Sequence, residues 1–557
     1  MTRRAPAVAC ALVPALVLFA CGLLLRIAFH LAGPDGGPGW HIGFQGDAPV
    51  WQDLVQQVAH GLRDDQLRLP WRPPGMVWLV SLLWNGDAAT AGLVRWTLLV
   101  LGATVAPLLW LWLRRHVAPH LALVAGCITA AASNLLLLGS GVHTEIVYLV
   151  GVLLGLLLQD RLRGPHAWLA AIGFGLLHGW LCLLRAEHTL TVGALLLVAW
   201  WLGTSWRVAL VAVLATAATI APWQWQANAM VDAYNAGTPA LPPAKLPWQP
   251  EALVRLRSLP SFQQIPVQQF VTETMVARGA SRVQAADLEV IREAYGCWPE
   301  PLRHGLIAIY GGLNFFLANS KEAAGGFSAA ALDRAPPLQG GDTRYPPGLR
   351  RVLPQGGKIV FSYPPHLDAV VNGTQRGLSE LAADPVGAAG RVAQKFWHAI
   401  EGATFGLGGY ALPIGASGVR RQVDFVTADG PWPAVYRVVL LGAALAGLWS
   451  LRRTRALWPL FAFGSTKVVV VAAYFGYARQ GAFLVPLVGL GLAAALAPRL
   501  PTAPALNRRW LPGLALLLLG LEATRIGTTA ATVDGQPVQH GEPFGAQDFT
   551  TRRIRFE

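Results

Sequence analysis

The sequence predicts a polytopic α-helical membrane protein of about eleven transmembrane helices. Its N-terminus is expected in the cytoplasm, with a mixed α, or α/β, extracytoplasmic domain between spans 7 and 8. Three observations lead there. Of 557 residues, 54% are hydrophobic and only 13% charged, against about 25% charged in a typical soluble domain. The apolar residues are grouped in runs, many near the ~20 residues needed to cross a bilayer. Clusters of arginine fall in alternate short loops between those runs, which puts them all on one side of the membrane, as the positive-inside rule requires. The net charge of +14 therefore has a topological explanation, and no nucleic-acid partner is expected. Five cysteines form no Cys-x-x-Cys pair and no readable disulfide framework.

Taken in order, Arg3 and Arg4 hold the N-terminus inside, and span 1 covers 5–31. Leu18-Phe19-Ala20-Cys21 faintly resembles a lipoprotein cleavage site, but Phe19 and the nearby Arg26 favour an uncleaved first span. A Gly/Pro-rich loop at 33–39 leads to Asp47. Trp51, Leu54, Val55, Val58 and Leu62 then repeat at helical spacing, as in a helix lying on a membrane surface. Arg72-Pro73-Pro74-Gly75 opens 76–84, too short to span and expected to dip into the interface. Spans 2 to 7 are read at 91–113, 121–138, 146–158, 168–184, 191–202 and 208–220. Arg114/Arg115, Arg161/Arg163 and Arg207 all lie on the cytoplasmic side of that count. Four further spans begin near Ala434, Leu457, Phe483 and Leu511.

The expected organisation is a seven-span module at 1–223, including the first outer loop at 32–90, and an extracytoplasmic domain at 224–431. A four-span module at 432–527 and an extracytoplasmic tail at 528–557 complete it. Within the domain, 248–300 reads as amphipathic helices, 307–317 as a buried strand or helix, and 378–401 as helix with Pro385 starting its second part. No repeat of fixed period is present.

Polar residues gather at the span ends on the outer side: Asp47, His143, Glu145, Arg185, Glu187, His188 and Arg479. Arginine at a span end is often an anchor, and Asp47, two residues before Pro49, suits a helix N-cap. Two carboxylates and a histidine from different loops at one membrane face also suit a site.

These residues resemble a known family. Asp47, Trp51 and Gly61 are similar to an Asp–aromatic–Gly pattern in the first outer loop of GT-C glycosyltransferases. That polytopic class uses polyprenyl-phosphate-linked sugars and includes protein O-mannosyltransferases and lipid A aminoarabinose transferases. Arg72-Pro73-Pro74-Gly75 resembles its Pro-rich entry, and His143-Thr144-Glu145 stands at its second-loop acidic position. Leu184-Arg185-Ala186-Glu187 resembles its Arg-Pro-Glu motif, with Ala186 in place of Pro. Pro222-Trp223 and Asn228 resemble the close of its span 7, with Gln226-Ala227 where an Arg is expected. Lys395-Phe396-Trp397, ten residues after Pro385, and Arg479 with Pro486 resemble later features.

The resemblance implies sugar transfer from a polyprenyl-phosphate-linked donor to a lipid, glycan or protein acceptor. The chemistry would occur on the periplasmic or exterior face of the inner (plasma) membrane. Asp47 is then the candidate general base, with Glu145 as the second catalytic candidate. Arg185, Arg479 and Lys395 are the donor-phosphate cations, and Trp51 and Glu187 the substrate contacts. His143 and Glu145 would share a divalent ion (Mg, Mn or Zn) with Asp47, or form only a hydrogen-bonded pair. A transporter or flippase of a lipid-linked saccharide or other anionic substrate is the alternative, since intramembrane polar residues also mark transport paths. A structural subunit without chemistry would leave the charged set unexplained.

Overall fold

The computed structural model describes residues 4–31, 48–60, 69–87, 91–323, 325–326, 331–332, 361, 363–406, 411–413, 420–422, 432–497, 532–533 and 536–537. Helices dominate. The first is α1 (Arg4–Leu31), followed by α2 (Ala48–His60) and the short α3 (Gly75–Ser81). On α2, Trp51, Leu54 and Val55 are buried as the helical spacing predicts, while Val58 is exposed. Gln52 and Gln56 on the same helix donate to the Gly86 carbonyl at 3.0 and 2.8 Å, tying α2 to the segment after α3.

The expected second span is two helices, α4 (Ala91–Ala103) and α5 (Val105–Leu113). The Thr104 hydroxyl at the joint donates to the Leu101 carbonyl at 2.6 Å. The expected third span is also broken, into α6 (Pro119–Ala130) and α7 (Ser133–Ser140), because Ala132 is extended. The break frees two polar side chains for distant partners. Ser133 donates to the Phe405 carbonyl and Asn134 to the Gly402 carbonyl, both at 2.6 Å.

Then come α8 (Thr144–Gln159), α9 (Ala167–Leu184), α10 (His188–Trp201) and α11 (Trp206–Asn235). A Gly-xxx-Gly pair lets α9 and α11 meet backbone to backbone. A Cβ on Gly175 would lie 2.5 Å from the Ala212 carbonyl, and one on Gly179 2.9 Å from that of Thr216. Small residues at such contacts are the usual means of close helix approach in membranes.

The sequence reading ends span 7 at Ile220, but α11 continues through Pro222 to Asn235. The extra turns hold the domain. Trp223 Nε1 donates to the Ile307 carbonyl at 2.8 Å, and the Ile307 N–H donates to Gln224 Oε1 at 2.8 Å. Ile307 is fully buried with φ +69°, a left-handed conformation costly for a β-branched residue. The clamp from α11 is what holds it there. Pro222-Trp223 thus has a structural role in this chain.

The helices of the following domain are α12 (Pro250–Arg257), α13 (Ser261–Ala277), α14 (Val290–Tyr295), α15 (Gly311–Asn319), α16 (Pro364–Val371), α17 (Gly373–Ala383) and α18 (Pro385–Ala403). The ambiguous run at 307–317 is therefore a buried loop leading into a helix. Asp384 caps α18, accepting from the Gly387 N–H at 2.9 Å. The described strands are the antiparallel pairs Ala411–Pro413 with Arg420–Gln422, and Thr532–Val533 with Gln536–Pro537.

Last come α19 (Trp432–Leu451), α20 (Trp458–Ala473), α21 (Ala478–Ala482) and α22 (Val485–Leu496). Among the described residues, four helical stretches are long and apolar enough to cross a membrane: Gly92–Leu113, Ala167–Leu184, Trp206–Asn235 and Arg455–Ala473. Shorter apolar helices at 12–28, 119–130, 188–201, 437–451 and 485–496 accompany them. The expected eleventh span, from about Leu511, lies outside the described residues. Trp206, Leu210, Val213 and Leu214 of α11 are exposed, as a lipid-facing helix surface would be.

Candidate functional site

Four chain segments bring charged side chains together at one end of α8 to α10. Thr144 and Glu145 form the first turn of α8. Helix α9 ends where Arg185 turns extended, and Glu187 immediately precedes α10. Helix α20 contributes Lys467 and α21 contributes Arg479.

Arg185 is the hub. Its Nε donates to Glu187 Oε1 at 2.5 Å, and its Nη1 donates to Thr144 Oγ1 at 3.1 Å and Glu145 Oε1 at 3.4 Å. Glu145 Oε1 also lies 3.7 Å from Arg479 Nη1, and Glu187 Oε1 lies 3.6 Å from Lys467 Nζ. Two aromatic faces hold the cations: Phe483 lies 5.0 Å from the Arg185 guanidinium, and Tyr148 4.3 Å from the Lys467 ammonium. Glu145 and Lys467 are 4% and 1% exposed, Arg185 and Arg479 14% and 18%. The two guanidiniums are thus the reachable cations, and Lys467 is the foundation beneath them. Burial raises the Glu187 carboxyl, but Arg185 and Lys467 pull it lower, to about 2.

Beneath the cluster runs a buried chain of hydrogen bonds. Tyr148 Oη meets His188 Nδ1 at 2.7 Å, and His188 Nε2 meets His178 Nδ1 at 2.7 Å. The two imidazoles stack with centroids 5.0 Å apart. His188 is therefore tied to the floor of the cluster.

The structure brings together four of the residues singled out from sequence: Glu145, Arg185, Glu187 and Arg479. It holds Lys395 elsewhere. The Lys395 ammonium, fully buried, donates to Asn319 Oδ1 at 2.8 Å and the Ala472 carbonyl at 3.0 Å, so it clips α18 to α15 and α20. Trp51 is packed in the core with the Arg72 guanidinium 5.3 Å from its ring. His143 is buried at the residue before α8. Asp47 and Gly61 lie outside the described residues. Among the described residues, no group of three or more His, Cys, Asp or Glu is arranged to hold a metal ion. Glu145, the shared ligand of that expectation, has two guanidiniums within 3.7 Å.

Lys467, Tyr148 and His178 escaped the sequence reading. For Lys467 the signal was present: a lone lysine inside the apolar run of α20. An ionisable residue within such a segment needs a partner. Tyr148 and His178 carry no comparable signal, because they lie one per helix and are joined only by the packing.

No family model matches the chain, and no curated protein matches it. Solved structures resemble it distantly. Over 94% of its length it is similar to the archaeal oligosaccharyltransferase AglB from Archaeoglobus fulgidus in complex with an inhibitory peptide and a dolichol-phosphate, at 13% identity and a TM-score of 0.43. It is similar at the same identity and score to the apo form, and at 12% identity with a TM-score of 0.37 to the complex with Zn and sulfate. The chain spans only 56% of the length of the first two and 54% of the third.

Proposed function

We propose that this chain is an integral-membrane glycosyltransferase. It moves a sugar from a polyprenyl-phosphate-linked donor to an acceptor at the extracytoplasmic face of the membrane. The observation that carries the reading is the meeting of two partly exposed guanidiniums, Arg185 and Arg479, at Glu145 Oε1, 3.4 and 3.7 Å away. Glu187 and Lys467 complete the described cluster. An anionic ligand docking there would accept charge-assisted hydrogen bonds from both arginines. The order of the sequence motifs from Asp47 to Pro486 supports the same reading.

In this mechanism the donor phosphate docks on Arg185 and Arg479, whose guanidiniums are held in place by Glu145 and Glu187. The acceptor's hydroxyl or amine attacks the anomeric carbon. The bond from that carbon to the phosphate oxygen breaks, and its electron pair leaves with the polyprenyl phosphate. The guanidiniums stabilise the charge that develops there. Asp47 takes the acceptor's proton. Glu145 is less suited to that task, since Oε1 already serves two guanidiniums.

Arg479→Ala and Arg185→Lys test the assignment. Arg185→Lys retains the charge that Glu187 needs but loses the planar fork. Donor use in each should weaken about ten- to a hundredfold, the equivalent of a charge-assisted contact of roughly 1.5–3 kcal/mol. Unchanged donor dependence in both variants, at normal expression, would reduce the two arginines to structural ties.

A further inference from the structure

The segment from Leu302 to Ile307 is strapped along the last turns of α11. The Leu302 N–H donates to Asn235 Oδ1 at 2.9 Å, and Asn235 Nδ2 donates back to the Leu302 carbonyl at 2.8 Å. His304 Nε2 meets Asp232 Oδ1 at 2.8 Å, and Gln224 Nε2 donates to the Gly305 carbonyl at 2.8 Å. The contacts descend α11 from Asn235 to Gln224, about 16 Å along the axis, towards its apolar part. Five residues of chain reach roughly 16–18 Å at full extension, so the strap runs nearly straight. At its foot the chain turns sharply. The Ala308 N–H donates to the Leu306 carbonyl at 2.8 Å across Ile307, whose φ is +69°. That is a γ-turn of the rare, strained hand. The Ile309 N–H then donates to the Pro70 carbonyl at 3.1 Å, which fixes the far side of the turn.

Leu306, at that turn, is 64% exposed, while Ile307 beside it is fully buried. The fold thus holds an apolar side chain outward on a strained, fully tied turn, which water alone would not favour. Three more exposed apolar side chains accompany it. Trp225, the residue after Gln224, is 80% exposed. Trp78 of α3 and Leu82 just beyond it are exposed too, and the Trp78 ring meets the edge of Trp223 at 5.7 Å. Trp225 also closes the exposed stripe of α11 that begins at Trp206 and passes through Leu210 and Leu214. The two exposed tryptophans stand nineteen residues apart, about 28 Å along the helix. The hydrocarbon core of a bilayer is about 30 Å thick, and tryptophan collects at its two boundaries. A protein partner would impose no such spacing.

We infer that Leu306, Trp225, Trp78 and Leu82 form one anchor seated in the lipid interface on the domain's side of the membrane, with Leu306 carried down to it by the strap. The inference does not depend on the reaction. It does fix the depth of the charged cluster. Helices α9 and α11 run parallel, and a Cβ on Gly179 would lie 2.5 Å from the Thr219 Cβ. Six residues further along the two chains stand Arg185 and Trp225, so the guanidinium lies level with the tryptophan. Helix α3 locks the same height: a Cβ on Gly75 would lie 2.8 Å from the Leu183 carbonyl and the Leu184 nitrogen, directly before Arg185. Arg185 therefore sits at the height of the lipid headgroups.

The test uses the full chain in phosphatidylglycerol–phosphatidylethanolamine vesicles. With the five native cysteines changed to alanine, single nitroxide labels are placed at Leu306→Cys, Leu82→Cys and Trp225→Cys, and their depth is read from relaxation by oxygen against a nickel chelate. Leu214→Cys, midway along the exposed stripe, and Glu293→Cys, at an exposed ion pair of the domain, give the bilayer and water references. The three anchor labels should share one depth, about 5–10 Å inside the headgroup boundary. A label at Leu306 as open to nickel as that at Glu293, or as deep as that at Leu214, would overturn the inference. A second measurement keeps the native cysteines. Benzoylphenylalanine in place of Leu306 should give a lipid adduct on illumination, and in place of Glu293 none. An adduct to a co-purifying protein, or no lipid adduct at Leu306, would equally overturn it.

Discussion

Glu187 accepts from Arg185 at 2.5 Å and faces Lys467 at 3.6 Å, and its carboxyl is held at about 2. An unperturbed glutamate titrates near 4.3. The folded value is the lower one, so this group's stabilisation is complete above the unfolded value and is lost as pH falls through the folded one. Glu187 therefore contributes no acid limb to activity between about pH 5 and 8. Lys395 behaves oppositely. Burial, with Arg391 nearby, lowers its ammonium to about 8, against about 10.4 in an unfolded chain. Burying the charged form costs stability below pH 8, and the cost fades as pH rises towards the unfolded value. The melting temperature of wild type should thus gain on that of Lys395→Met between about pH 8 and 10. A pH-independent gap would contradict this. Asp47 precedes a helix that begins at Ala48, so capping and catalysis both suit it. Asparagine caps as well as aspartate. Asp47→Asn should nonetheless lower turnover roughly 10²–10⁴-fold with unchanged thermal stability, and near-normal transfer would leave only the cap. Glu145, Arg185, Glu187 and Arg479 were legible because each is a charge at the end of an apolar run. Lys467 was passed over because a single lysine barely changes the hydropathy of its segment.

At the scale of elements, the reachable guanidinium of Arg479 depends on how α21 lies against α18. The contact is backbone to backbone. A Cβ on Gly481 would strike the Ala399 carbonyl and lie 2.7 Å from the Ala403 nitrogen, and one on Gly402 would strike Ala478. Gly481→Val should therefore displace α21, cost about 1–3 kcal/mol as overpacking does, and weaken donor use together with the melting temperature. Unchanged melting and transfer would show that α21 does not position Arg479. Most helices were legible from apolar periodicity, and Pro385 marked the start of α18. The breaks were not. Thr104 and Ala132 are ordinary helix residues locally, and span 3 is divided where Ser133 and Asn134 reach Phe405 and Gly402, some 270 residues away. The continuation of α11 past Pro222 was equally hidden, because its reward is a clamp on Ile307.

On the scale of the whole molecule, the account joins an apolar helical bundle to a helical domain through α11, α15 and α18. The charged cluster lies where α20 and α21 meet α8 and α9, and the domain lies beside it. Such a junction is where a lipid-borne donor and a water-borne acceptor would meet. The eleven-span count and its sidedness remain part of the proposal, with the domain between α11 and α19 facing outward. The most direct measurement is release of free polyprenyl phosphate from a polyprenyl-phosphate-linked sugar by the purified chain in proteoliposomes, with acceptor supplied on the face of this domain. The account expects release coupled one-to-one to sugar transfer, with donor use weakened about ten- to a hundredfold in Arg479→Ala. Movement of the intact donor across the bilayer, with no polyprenyl phosphate released, would contradict it and make the chain a transporter.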